Sequence, residues 1–204
     1  MNSEIALIDV FEKHLPEGYG DLCLQLWKEY RFTLKITPTR KTKVGDYRFD
    51  QRNNRHSISI NYNLNPYGFL ITYLHEVAHM QAMLEYGPKI GHHGAEWKST
   101  FRRLLIMALT INKLPVDITT ALAKYAKNPK ASSYSDPALV MALSRYDVQK
   151  TGSFLTELLQ GQDFVFQGKT YKMLKKRRTR VLCERVDNCR RYLISGHAQV
   201  QVLE

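Results

Sequence analysis

Cysteine is scarce in this chain: Cys23, Cys183 and Cys189 are the only three in 204 residues. They are too few and too unevenly placed for the disulfide framework of a small secreted protein. Long apolar runs are missing too, and none approaches the roughly 20 residues that span a bilayer. The N-terminal stretch MNSEIALIDVFEKHLPEG carries Glu4, Asp9, Glu12 and Lys13 where a signal peptide is apolar. There is no internal repeat and no low-complexity tract, and a composition 44% hydrophobic and 24% charged excludes disorder and collagen-like repetition. These absences predict a soluble, cytoplasmic chain with no membrane partner; nucleoid association, if the chain is bacterial, follows only from a nucleic-acid partner. Negative charge is also in short supply, with 19 Asp and Glu against 30 Lys and Arg. The resulting net charge of +11 makes a field that attracts polyanions before any specific contact forms, which favours nucleic acid as a partner. Solubility alone is the competing explanation.

The hydrophobic pattern divides the chain. Ile5, Ile8, Phe11 and Leu15 recur at helical spacing, and Leu22, Leu26 and Tyr30 do so again after Pro16-Glu17-Gly18, predicting two helices that cover a sheet. Phe32–Thr37, Gly45–Asp50 and His56–Asn61 are short alternating or β-branched runs separated by turn residues, and they read as a three-stranded meander. Asn65-Pro66 is a helix start and Gly87-Pro88 a helix stop, which predicts a helix from Pro66 to about Tyr86 with Leu70, Leu74, Val77 and Leu84 near its buried side. Trp97, Phe101, Leu104, Leu105 and Ala108 trace a further amphipathic helix. These elements define a domain over residues 1–123. Residues 124–162 are broken by Asn128-Pro129, Ser132-Ser133 and Asp136-Pro137 and read as a linker, with a short helix over Ala138–Arg145. Residues 163–204 change to short alternating runs and read as a small β module.

Inside the long helix stands His75-Glu76-Val77-Ala78-His79. A separation of four residues puts the two imidazoles on one face about one turn, roughly 6 Å, apart, where one metal ion can bridge them. Glu76 lies about 100° around the helix, so it is free to face a water in the metal's open coordination position. That is the geometry of a zinc-dependent hydrolase; the bland alternative is two hydrogen-bonded histidines on a helix surface. A third ligand is available in Gly91-His92-His93-Gly94-Ala95-Glu96-Trp97. Glu85 and Glu96 are the carboxylate alternatives, and the metzincin pattern HExxHxxGxxH is absent.

HEVAH, followed fourteen residues after its second histidine by His-Gly-x-x-Trp, resembles the SprT-like zinc metallopeptidases, the family that includes Spartan. The resemblance covers Phe32 to Ile111. It implies an α+β fold: a zincin-like metalloprotease domain, with a small antiparallel sheet and an HExxH active-site helix, plus a small C-terminal β module like a degenerate zinc ribbon. It also implies one catalytic Zn2+ held by His75, His79 and His93, with Glu76 as general base, and protein substrates that are DNA-associated or DNA-crosslinked. In zincins an edge strand beside the active-site helix aligns the substrate, a role that falls here to His56–Asn61. Tyr62, Tyr67, Tyr73, Tyr86 and Arg102 are open as oxyanion stabilisers. Trp97 is assigned to packing, Cys23 to the core, and His14 and His56 to structural or surface positions.

The tail departs from the family. A zinc ribbon needs two Cys-x-x-Cys knuckles, and this chain offers Cys183, Cys189 and His197 at the wrong spacing, so no second, structural zinc is expected. What remains is charge. Residues 163–204 hold ten Lys and Arg against four Asp and Glu, a net +6. Lys172, Lys175, Lys176, Arg177, Arg178 and Arg180 are the candidate nucleic-acid contacts, with Tyr171 and Tyr192 placed to stack on bases. A solvated edge that discourages strand aggregation is the alternative. The competing reading of the whole chain is a nucleic-acid-associated binding protein in which zinc is structural and hydrolysis vestigial.

Overall fold

The structure, a computed structural model, describes residues 3–40, 42–147, 152–196 and 198–203, with Tyr134 described by its backbone alone. The chain is mixed α+β and divides into two compact units, Met1–Asp147 and Val148–Glu204. In the first unit the order is α1 (Glu4–His14), α2 (Gly20–Tyr30), β1 (Thr33–Thr37), β2 (Gly45–Asp50), β3 (Arg55–Asn61), α3 (Pro66–Tyr86), α4 (Ala95–Thr110), α5 (Val116–Ala126) and α6 (Pro137–Ser144). Among the described residues, no helix is long and apolar enough to cross a membrane.

Helix α3 is the axis of this unit. The Asn65 side chain accepts from the Gly68 N–H at 2.8 Å, Pro66 occupies the first turn, and Gly87 ends the helix at φ 90°. Strands β2 and β3 pack on α3, as does α4; α5 packs on α4, and α6 on α5. With neighbours on several sides α3 is apolar nearly all round, and Leu70, Leu74 and Val77 are fully buried. Leu84, expected on the buried side, is 50% exposed because it lies in the last turn, beyond the sheet. Helices α1 and α2 pack on each other and on α3: Tyr73 meets Phe11 edge-on at 5.5 Å and donates to the Cys23 carbonyl at 2.7 Å. His14 of α1 stacks on Phe69 of α3.

The sheet is not the antiparallel meander that the run of strands predicts. Its order is β1-β3-β2, with β1 parallel and β2 antiparallel to β3. Burial decides the order: Ile58 and Ile60 of β3 are fully buried and take the centre, while β2 is half-exposed and suits an edge. Asn61 pins the β1–β2 connection across the end of β3. Its side chain donates to the Lys43 carbonyl at 3.1 Å and accepts from Arg40 Nε at 2.8 Å, and its N–H donates to the Val44 carbonyl.

The boundaries at 123 and 162 also move. Helix α5 runs through 124, and Tyr125, Ala126, Leu139, Ala142 and Leu143 belong to the first unit's core. The Asn, Pro and Ser residues that read as a linker are turn and cap residues of short packed elements: Asp136 caps α6, and Asp117 of α5 accepts from Arg145 and Tyr146. Residues 148–151 lie outside the described residues.

The second unit is an antiparallel sheet of β4 (Ser153–Phe154), β5 (Asp163–Phe166), β6 (Lys169–Lys176), β7 (Arg180–Arg185), β8 (Arg191–Ser195) and β9 (Gln199–Val202), in the order β4-β9-β5-β6-β7-β8. Leu155 and Leu158, expected in the linker, share its core with Phe164, Met173, Val181, Cys183 and Val200. Strands β4 and β9 make this more than a ribbon-like hairpin. Cys183 is buried and Cys189 exposed in the β7–β8 turn, so the two thiols do not face one another; His197 lies outside the described residues.

Candidate metal centre

His75 and His79 stand one turn apart on α3 and bring their Nε2 atoms to 3.2 Å. The turn that follows α3 and the start of α4 at Ala95 return the chain to this spot, placing His93 with its ring 4.8 Å from that of His79 and 5.4 Å from that of His75. One ligand nitrogen from each of the three lies within 4.8 Å of the others, the arrangement needed to hold one ion. His92 sits at the rim, exposed, its ring 5.6 Å from His79. Glu85 pairs with Arg103 at 3.2 Å, and neither Glu85 nor Glu96 joins the cluster.

The three imidazoles fit a metal in two further respects. Burial first, and then the neighbouring histidines, lower the pKa of both His75 and His79 to about 3, and His93 is lowered as well. All three rings are therefore neutral near pH 7, the state in which imidazole offers a lone pair. His93 Nε2 is buried and has no hydrogen-bond partner among the described residues. An unpartnered buried nitrogen costs stability in a closed core and is the expected condition of a ligand atom. Trp97 packs against all three rings, with centroids 4.8, 5.2 and 4.6 Å from His75, His79 and His93.

Glu76 is 6% exposed and turns toward the start of β2. The Tyr47 backbone N–H favours its ionised form, and Gly45 lies so close that a Cβ there would overlap Glu76 Oε1. Burial, followed by the nearby Asp46 carboxylate, pushes the Glu76 pKa up to about 8. Asp46 is itself held between Lys43 at 2.9 Å and Arg48 at 2.7 Å. His75, Glu76, His79 and His93 all open into one cleft of about 340 Å³. Residues Thr42 to Tyr47 form one wall, and Ala131, Ser132 and Ser133 contribute to the lining.

Several of these residues escape sequence reasoning. Gly45 carries a faint signal, since a glycine in a strand pattern marks close backbone approach. Ala131–Ser133 carry none, because they read as linker. Among the described residues, the tyrosine that lines the cleft is Tyr47, whose hydroxyl is 2.9 Å from His56 Nδ1. None of the tyrosines named from sequence lines it: Tyr73 is buried against Cys23, Tyr67 packs on Tyr146, and Tyr62 and Tyr86 are exposed. Arg102 does not line it either. His56–Asn61 is not a free edge, because β3 is paired on both sides; β2 is the edge strand beside the cleft.

Searches of family models, curated proteins and solved structures find no match to the chain.

In the second unit Lys175, Lys176, Arg177, Arg178 and Arg180 cluster on the β6–β7 hairpin, closed by the Arg177 N–H to Arg180 carbonyl bond at 2.8 Å, and all are exposed. Lys172 is exposed further along β6, 3.8 Å from Asp163. Tyr171 does not offer a stacking face, being only 8% exposed and packed edge-on against Tyr192.

Proposed function

We propose that this chain is a zinc-dependent endopeptidase of the SprT-like kind, with His75, His79 and His93 as the metal ligands and Glu76 as the general base. One observation carries the reading: three neutral imidazoles converge on a shared point, one with a buried unpartnered nitrogen, and a buried carboxyl opens into the same cleft. Zinc is the ion that suits three histidine nitrogens, and when bound it supplies a Lewis acid that acidifies water and polarises a carbonyl oxygen.

The chain's own residues do the rest. Glu76 takes the proton of the attacking water on a carboxylate oxygen and delivers it to the leaving amine nitrogen, so hydrolysis proceeds without a covalent intermediate. Glu76, raised in pKa by burial, would be favoured in its ionised form if His75, His79 and His93 held a cation beside it. The Tyr47 backbone N–H favours that carboxylate's ionised form, and Gly45 leaves room for it. The α+β arrangement, with the HExxH helix packed between sheet and helix, is compatible with a zincin-like domain. The exposed Lys175–Arg180 hairpin is the element we assign to DNA, which would bring the peptidase to DNA-associated proteins.

The test compares wild type with Glu76→Gln, both zinc-loaded, on a DNA-bound protein and on the same protein free in solution. Cleavage by wild type alone, faster with DNA, is the expected result. Equal inactivity with full zinc and intact folding would favour a binding protein with structural zinc. The ligand set is tested separately by zinc affinity: His93→Ala should weaken it by more than about tenfold and His92→Ala should leave it unchanged.

A further inference from the structure

Helix α1 does not bury its whole apolar stripe. Leu7, Phe11 and Leu15 enter the core, whereas Ile5 is 75% and Ile8 38% exposed. Ile5, Ile8 and Glu12 lie three and four residues apart, so they form one outer ridge of the helix. The ridge leads into a cavity of about 520 Å³ between α1 and α2, lined by Ile8, Phe11, Leu15 and Leu24. This cavity shares no residue with the metal cleft.

The charge around it is opposite to that of the chain. Glu12, Glu17 and Asp21 line the cavity, all exposed, and among the described residues no Lys or Arg is part of the lining, in a protein of net charge +11. Among the described residues none of these carboxylates forms a salt bridge. Lys113 reaches Gly18 on the lining, and three carboxylates outnumber it. An apolar ridge and cavity that open to water mark a contact surface, and the carboxylates set the sign of what can approach.

We propose that this groove docks a basic, apolar-faced segment of another protein, with leucine- or phenylalanine-sized side chains in the cavity and lysines or arginines against Glu12, Glu17 and Asp21. Polyanions and anionic membranes are repelled by the carboxylates. The chain's own basic hairpin, Lys175-Lys176-Arg177-Arg178-Thr179-Arg180, lacks the apolar anchor that the cavity takes. Proteins that live on DNA are basic, so the groove gathers the substrate class of the proposed peptidase; that significance rests on the functional reading, but the docking is measured without cleavage and stands or falls separately.

The experiment titrates the full chain into a labelled amphipathic leucine–lysine peptide of about 18 residues, long enough to form a helix. A chain of net charge +11 repels such a peptide overall, so saturable binding must be local. Saturable binding is expected, weakened more than about tenfold by the triple change Glu12→Lys, Glu17→Lys, Asp21→Lys, by Ile8→Ser, and by replacing the peptide's leucines with serine. All four sites are exposed, and circular dichroism checks that each variant folds. Absence of saturable binding, or binding that neither variant changes, overturns the proposal. Self-association of wild type abolished by Ile8→Ser would assign the groove to a second copy and overturn it as well.

Discussion

Gly45 of β2 and Glu76 of α3 are so close that a single methyl group on the glycine would overlap the carboxylate oxygen and crowd Thr72. Gly45 has no left-handed φ, so glycine serves space here rather than conformation. Gly45→Ala should therefore displace Glu76 while leaving the three histidines in place. The expected outcome is a fall in kcat/KM on the order of 100-fold with zinc stoichiometry unchanged. Parallel loss of zinc, read by metal analysis, would mean that the helix itself had shifted.

Trp97 touches all three imidazoles at once. Trp97→Ala opens a cavity in a fully buried site and should cost about 3–5 kcal/mol, read by denaturant unfolding. It also frees three ligand rings, so zinc affinity should fall by about 10- to 100-fold. Trp97→Phe keeps an aromatic face and should recover most of the affinity; no recovery would reduce the indole to ordinary packing.

Glu76 makes the metal-free protein pH-sensitive in a definite direction. Its folded pKa of about 8 lies above the ordinary 4.5, so the protonated form is the one that folding favours. Its contribution is fully present below pH 4.5 and is lost as pH rises through 8. Metal-free Glu76→Gln should therefore be more stable than wild type by about 2–4 kcal/mol at pH 8, with the gap closing toward pH 4.5. The histidines act oppositely, losing stability as pH falls from 6.5 toward 3, but they are common to both proteins and cancel in the difference. Thermal unfolding in a chelator across pH 5–8 measures this; a gap that does not grow with pH would refute it.

The basic hairpin predicts a salt signature. Replacing Lys175, Lys176, Arg177, Arg178 and Arg180 by Gln should lower DNA affinity and flatten the slope of log K against log salt by about 0.7 to 0.9 for each phosphate that the hairpin no longer neutralises. Affinity should depend little on base sequence, since exposed cations on a hairpin meet phosphates rather than base edges. Filter binding at several salt concentrations decides it, and an unchanged slope would remove the hairpin from the interface.

Local chemistry made much of the first unit legible. The Asn65-Pro66 start, the Gly87 stop, the four-residue spacing of His75 and His79 and the apolar rhythm of Trp97 to Ala108 are near-neighbour effects along a helix, and each element forms where its residues predict. What those patterns could not carry was strand partnership. That β3 lies between β1 and β2 depends on which strand the core can bury on both sides, a contest among residues far apart in the chain. Only the folded chain brings Gly45 against Glu76 and adds Ala131–Ser133 to the cleft, because such encounters are set by packing rather than by periodicity. The same holds for α1, whose apolar spacing is plain in the sequence while the exposure of Ile5 and Ile8 is not: a sequence states which residues are apolar, and the tertiary structure decides which of them find a partner.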